Sequence, residues 1–122
     1  NAGNPIASGA NSTTYYARFH SYGITSDQDA FLYSPTWNLS AQAANIVQLK
    51  FYYINPSGTD NLVVSFFDGS SYTSQGTLTT ASSWTLQTIN IASNYLTANF
   101  KLRLKIQCVW SHKSGYIDLK II

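Results

Sequence analysis

The segment NFKLRLKIQCVW, residues 99–110, alternates without a break. Phe100, Leu102, Leu104, Ile106, Cys108 and Trp110 fall on one parity, and Lys101, Arg103, Lys105 and Gln107 on the other. A period of two sends successive side chains to opposite sides of an extended backbone, so this stretch is a strand with one buried and one wet face. An apolar sheet face of that kind needs a second layer over it. The rest of the chain must therefore supply both neighbouring strands and a facing layer.

It does so in short β-prone runs. VQLKFYYI alternates in the same way, with Leu49, Phe51 and Tyr53 on one side and Lys50, Tyr52 and Ile54 on the other. LVVSFF is nearly all apolar, as expected of a central strand covered on both faces. TYYARFHSY, AFLYS, the Ser/Thr-rich SYTSQGTLTT and the closing YIDLKII add further strands, the last with Ile117, Leu119 and Ile121 inward. WTLQTINI breaks phase, since Trp84 and Leu86 share one parity and Ile89 and Ile91 the other. A bulge near Gln87-Thr88 would reconcile them. NPSGTDN and Asp68-Gly69 are turn signals, and Ser34-Pro35 marks a strand end or a sheet edge. Only SAQAANIVQ resembles a helix. About eight strands at spacings of roughly 8–12 residues define an all-β fold, an antiparallel β-sandwich or jelly roll. Residues 1–12, NAGNPIASGANS, lack periodicity and read as a flexible arm ahead of a sandwich spanning 13–122.

Charged residues make up 10% of the 122, every acidic one is Asp, and polarity comes mainly from Ser, Thr, Asn and Gln. That balance suits a protein working outside the cell, at the surface or secreted. The start at Asn1 fits a processed precursor or a domain of a longer chain. Asn11-Ser12-Thr13 and Asn38-Leu39-Ser40 match the N-glycosylation pattern. The net charge of +2 does not amount to the dense basic stripe that nucleic acid requires. No apolar run approaches the roughly 18 residues of a membrane span. The single cysteine, Cys108, cannot form an internal disulfide, and its parity makes it a small buried hydrophobe.

Catalytic signatures are missing. His20 and His112 are the only side-chain bases of suitable pKa, and neither is tied by a motif to a Ser or to Cys108. Five Asp and no Glu poorly match the paired carboxylates of glycoside hydrolysis. The glycines build no phosphate loop and no His/Cys cluster has zinc spacing. The chain reads as a binder or an assembly unit and not as an enzyme.

Ligand contacts have better candidates. Trp110, His112 and Tyr116 flank the SHKSG turn and Tyr72 follows DGSS, where aromatic rings offer stacking surfaces for sugars. Trp37 and Trp84 read as core or core-rim residues. The stripe Lys101, Arg103, Lys105 suits an anionic glycan or an acidic neighbouring subunit. It serves equally as a solvated face guarding against edge-to-edge pairing. Asp27-x-Asp29 in GITSDQDA offers two hard ligands suited to Ca2+, or simply a solvated turn.

The order of these signals resembles a known group. FLYSP-x-WNLS, LKFYY, DNLVVSFFDG, SSWTLQTINI, KLRLKI and GYIDLKI follow one another as in the MAM-like and cleaved-adhesin-like extracellular jelly rolls, a branch of the galactose-binding-like sandwiches. The likeness runs from about Tyr15 to Ile122, without the cysteines of animal MAM domains and in a shorter chain. It implies an exported recognition or adhesion module with a glycan or surface protein as partner. It also implies a structural calcium near the Asp27–Asp29 turn, with Asp118 as a further ligand. A second expectation is a subunit of an extracellular fibre or appendage, self-assembling as its N-terminal arm adds a strand to a neighbour.

Overall fold

The computed structural model describes residues 29–55 and 60–107 and, through their strand pairing, residues 17–20 and 116–121. Eight strands lie in these segments: β1 (Ala17–His20), β2 (Asp29–Tyr33), β3 (Val47–Asn55), β4 (Asn61–Phe67), β5 (Tyr72–Leu78), β6 (Ala81–Ile91), β7 (Lys101–Gln107) and β8 (Tyr116–Ile121). They form two antiparallel sheets with orders β1-β8-β3-β6 and β2-β7-β4-β5. Successive strands β1 and β2, then β3 and β4, lie in opposite sheets, which is the winding of an eight-stranded jelly roll. The expected arm, residues 1–12, lies outside the described residues.

One apolar core joins the sheets. From the first come Leu49, Phe51 and Tyr53 of β3 and Ile91 of β6; from the second, Leu62, Val64 and Phe66 of β4 and Leu102, Leu104 and Ile106 of β7. The alternation in the sequence is therefore the alternation of burial. Aromatic edges lock the centre: Phe66 meets Tyr95 at 5.5 Å and Phe100 at 5.3 Å, both edge-on. Each such fully buried side chain contributes about 1.5–3 kcal/mol of transfer free energy. β4 is central, as its apolar run predicts, and even Ser65 on its outer side is buried.

The turn chemistry is local. Asp68 Oδ1 accepts the N–H groups of Ser70 at 2.9 Å and Ser71 at 3.0 Å, and Gly69 takes φ 108°. Those bonds, that from Ser71 foremost, hold the Asp68 carboxyl below the usual carboxylate range. In β5 the pairing slips, from Val64 opposite Gly76 to Ser65 opposite Ser74, and Gly76 takes φ 150° there. Ser34 closes β2: its backbone N–H bonds the Leu102 carbonyl, and its hydroxyl accepts the Leu102 N–H while donating to the Pro35 carbonyl. β2 is an edge strand, as Ser34-Pro35 indicates. Trp37 sits at the core rim, stacked on Phe100 with ring centres 6.0 Å apart.

A buried polar knot ties the loop after β3 to the turn after β5. The Tyr53 hydroxyl donates to the Thr79 carbonyl. Asn55 Nδ2 reaches the Asp60 carbonyl at 2.8 Å, the Thr79 carbonyl at 3.0 Å and the Tyr53 hydroxyl at 3.2 Å. Burial raises the Tyr53 pKa above its ordinary 10.0.

Three expectations change. β6 has no bulge at Gln87-Thr88: pairing with β3 runs unbroken from Val47↔Ile91 to Tyr53↔Thr85, and the irregularity falls beyond, between Tyr53 and Asn55. The phase break is resolved by exposure instead. Ile89 and Ile91 face the core, while Leu86 takes the outer side, paired with Tyr52. Trp84, expected in the core or at its rim, is half-buried beside the register shift and outside the core cluster. Ser40–Gln42 forms a single 3-10 turn where the Ala-rich SAQAANIVQ resembles a helix. Among the described residues no helix is long and apolar enough to cross a membrane.

Candidate functional site

Residues paired directly across an antiparallel sheet point to the same side. Tyr33 and Phe31 of β2 pair with Arg103 and Lys105 of β7, which in turn pair with Ser65 and Val63 of β4. Lys101 pairs with Phe67, and Phe67 with Tyr72 of β5. All of these therefore share the outer face of the β2-β7-β4-β5 sheet. Strand order and register bring four aromatic rings and three cations together there.

The rings form a continuous belt from one sheet edge to the other. Phe31 stacks on Tyr33 at 6.0 Å, Tyr33 meets Tyr72 edge-on at 5.9 Å, and Tyr72 lies 4.9 Å from Phe67. Arg103 is folded beneath it. Its guanidinium carbon sits 4.6 Å from the Tyr72 ring centre and 5.5 Å from that of Phe31. Ser65, opposite Arg103 on β4, is small enough to let the long side chain lie across that strand. Lys101 Nζ stands 5.1 Å from the Phe67 ring centre. Phe31 and Tyr33 remain open to solvent, at 48% and 53% exposure. Exposed aromatic area of this extent is an interaction feature more often than an accident.

The charges on this face differ in their commitments. Lys105 pairs with Asp29 at 3.2 Å. No carboxylate among the described residues pairs with Lys101 or Arg103. The Arg103 Nε–H is buried and has no acceptor among the described residues.

Four of the residues singled out in the sequence thus converge: Tyr72, Lys101, Arg103 and Lys105. Trp110 and His112 lie outside the described residues, and Tyr116 opens β8 in the other sheet, opposite His20. Phe31, Tyr33 and Phe67 are the site residues that sequence reasoning missed. Alternation in AFLYS puts Phe31 and Tyr33 on one parity, but only the β2–β7 register shows that this parity joins the cations.

The calcium candidates are not gathered in this way. Asp29 is the first residue of β2, with its carboxylate on the Lys105 ammonium, and Asp118 lies within β8 of the opposite sheet. Asp27 lies outside the described residues. No group of three or more His, Cys, Asp or Glu suited to a metal occurs among the described residues.

An apolar hollow of about 360 Å3 lies at the end of β2, lined by Leu32, Pro35, Trp37, Leu102 and Leu104 among others. Tyr33 and Ser34 also line it, and the Ser34 hydroxyl is committed to Leu102 and Pro35.

No known family's sequence profile matches the chain, and no curated protein is similar to it in sequence. In three dimensions it is similar to the K1 cleaved adhesin domain of Lys-gingipain from Porphyromonas gingivalis, with a TM-score of 0.61 and 15% identity. The match covers 87% of this chain and 70% of that one. The two share a β-sandwich fold.

Proposed function

We propose that this chain is a non-catalytic recognition or adhesion module of the cell surface or extracellular space. It binds carbohydrate or a surface partner through the outer face of the β2-β7-β4-β5 sheet. The observation carrying this reading is the belt Phe31–Tyr33–Tyr72–Phe67, whose rings span the sheet beside two cations lacking carboxylate partners among the described residues. Flat apolar rings stack on the C–H faces of sugars, and neighbouring polar groups fix orientation. A sandwich shared with a cleaved adhesin domain accords with that role. The test is a glycan array probed with the wild-type domain, Tyr33→Ala and Phe31→Ala, with Leu86→Ala on the opposite sheet as control. Loss of signal in the first two alone supports the face. Undiminished binding by both rejects it.

A second reading, a fibre or appendage subunit joined by strand addition, is favoured by β6. This edge strand runs eleven residues, Ala81–Ile91, and contains no charged residue and no proline. Edges of that kind are templates for another strand. The arm of residues 1–12 is the proposed donor. Light scattering of the chain with and without those residues tests it: assembly that needs the arm supports the subunit reading, and two monomers reject it.

A further inference from the structure

We infer that the ligand of the aromatic face is an acidic polysaccharide, whose sugar rings lie on the belt and whose carboxylate or sulfate groups are held by Arg103 and Lys101. This rests on the proposed carbohydrate-binding role of the same face. The argument for negative charge is independent of the rings.

Three cations face outward from β7, and among the described residues one carboxylate answers them. Asp29 takes Lys105 at 3.2 Å, while no carboxylate of the described residues pairs with Arg103 or Lys101. The guanidinium is placed by two rings, Tyr72 at 4.6 Å and Phe31 at 5.5 Å. Cation–ring contact holds its position without using its donors. No acceptor among the described residues engages it, and because its Nε–H is buried the contact with a ligand falls to the two Nη groups. A guanidinium fixed by stacking, with donors unspent, is suited to a planar carboxylate or a sulfate, which it can meet with two parallel hydrogen bonds. The Lys101 ammonium, close to Phe67, adds a second positive point about two residues along the strand, roughly 7 Å away. That spacing suits a repeating anion better than a lone ion. An acidic peptide would meet the charges, but the exposed rings of Phe31 and Tyr33 would then have no stacking partner.

The test is isothermal titration of the full chain with polygalacturonate, its methyl ester and dextran sulfate, each at low and at moderate salt. Methyl esterification keeps the sugar backbone and removes the charge. Variants are Arg103→Gln, Arg103→Lys, Lys101→Gln and, as a charge control on the opposite sheet, Lys50→Gln, each checked for a wild-type circular dichroism spectrum. Expected is at least tenfold tighter binding of one or both polyanions than of the ester, weakening with salt. Arg103→Gln should lose tenfold or more, Arg103→Lys should recover only part of this, and Lys50→Gln should bind as wild type. Preference for polygalacturonate over dextran sulfate assigns the anion as carboxylate, and the reverse as sulfate. Equal binding of polyanion and ester, with Arg103→Gln unimpaired, overturns the acidic ligand and leaves the carbohydrate face standing. Loss with Lys50→Gln equal to that with Arg103→Gln overturns the site in favour of diffuse charge. Binding of no polysaccharide overturns both readings.

Discussion

Asp29 and Lys105 stand at opposite ends of an ion pair of 3.2 Å, joining the edge strand β2 to its neighbour β7. Among the described residues the bond separates a sequence stripe of three like cations into one that is spent and two that are not. It also makes Asp29 the one described carboxylate paired with any of them.

Removing that carboxylate should strengthen the face. In Asp29→Asn the Lys105 ammonium is released and the local positive charge rises by one. The expected result is several-fold tighter binding of polygalacturonate at low salt, an advantage that shrinks as screening rises. Both partners are partly exposed, so the stability loss is about 0.2–1 kcal/mol. Titration at two salt concentrations and urea unfolding measure the two effects on one protein.

The polar knot around Asn55 should matter far more to folding than any surface charge. Asn55→Ala takes the donor from the buried Asp60 carbonyl, while the Thr79 carbonyl keeps the Tyr53 hydroxyl. An unsatisfied buried group costs about 1–3 kcal/mol, and a loss in that range is expected by urea denaturation. Asn55→Asp should be at least as damaging, because it replaces the donor with an acceptor.

Tyr53 gives the fold an alkaline limit. Its hydroxyl keeps its proton to a higher pH when folded than when unfolded, because burial disfavours the phenolate. Below the ordinary tyrosine value of 10.0 both states are protonated and the contribution is complete. As pH rises past it the unfolded chain releases the proton first, so stability falls until the folded pKa is passed. Tyr53→Phe should be less stable at neutral pH and should show a shallower decline above pH 10. Urea unfolding midpoints from pH 8 to 11 provide the comparison.

The edge of β6 can be tested by charge. Leu86 is 44% exposed on the outer side, so Leu86→Lys should change stability by less than about 0.5 kcal/mol. If copies join along this strand, the variant should be monomeric in light scattering where the wild type is not. Identical self-association by both proteins would count against β6 as the joint.

How far the sequence discloses this molecule depends on whether the information is local. Strand number and the inward faces of β3, β4 and β7 follow from residues two apart, and Leu49, Phe51, Leu102 and Leu104 are buried where alternation places them. The Asp68-Gly69 turn is equally legible, since its bonds span three residues. WTLQTINI was harder. Its apolar residues on both parities invite a bulge, but the strand lies at a sheet edge, where an apolar side chain on the outer face is tolerated. The site was legible only in half. Arg103, Lys101, Lys105 and Tyr72 carry charge or follow a turn, which singles them out locally. Phe31, Tyr33 and Phe67 resemble core residues until the order of strands is known, because the cations they pair with lie 34 or more positions along the chain. Cross-sheet company of that kind leaves no periodic trace.

The two sheets also divide the labour of contact. β2 stops at Ser34-Pro35 and β5 is kinked at Gly76, so neither border of the aromatic sheet offers a long regular template. The longest border, β6, paired in unbroken register from Thr85 to Ile91, belongs to the other sheet. Copies joined along β6 would therefore keep every aromatic belt uncovered and available at once. A filament built this way would hold its ligand by many weak grips, and its hold on a long polymer would grow with the number of subunits rather than with the strength of any one.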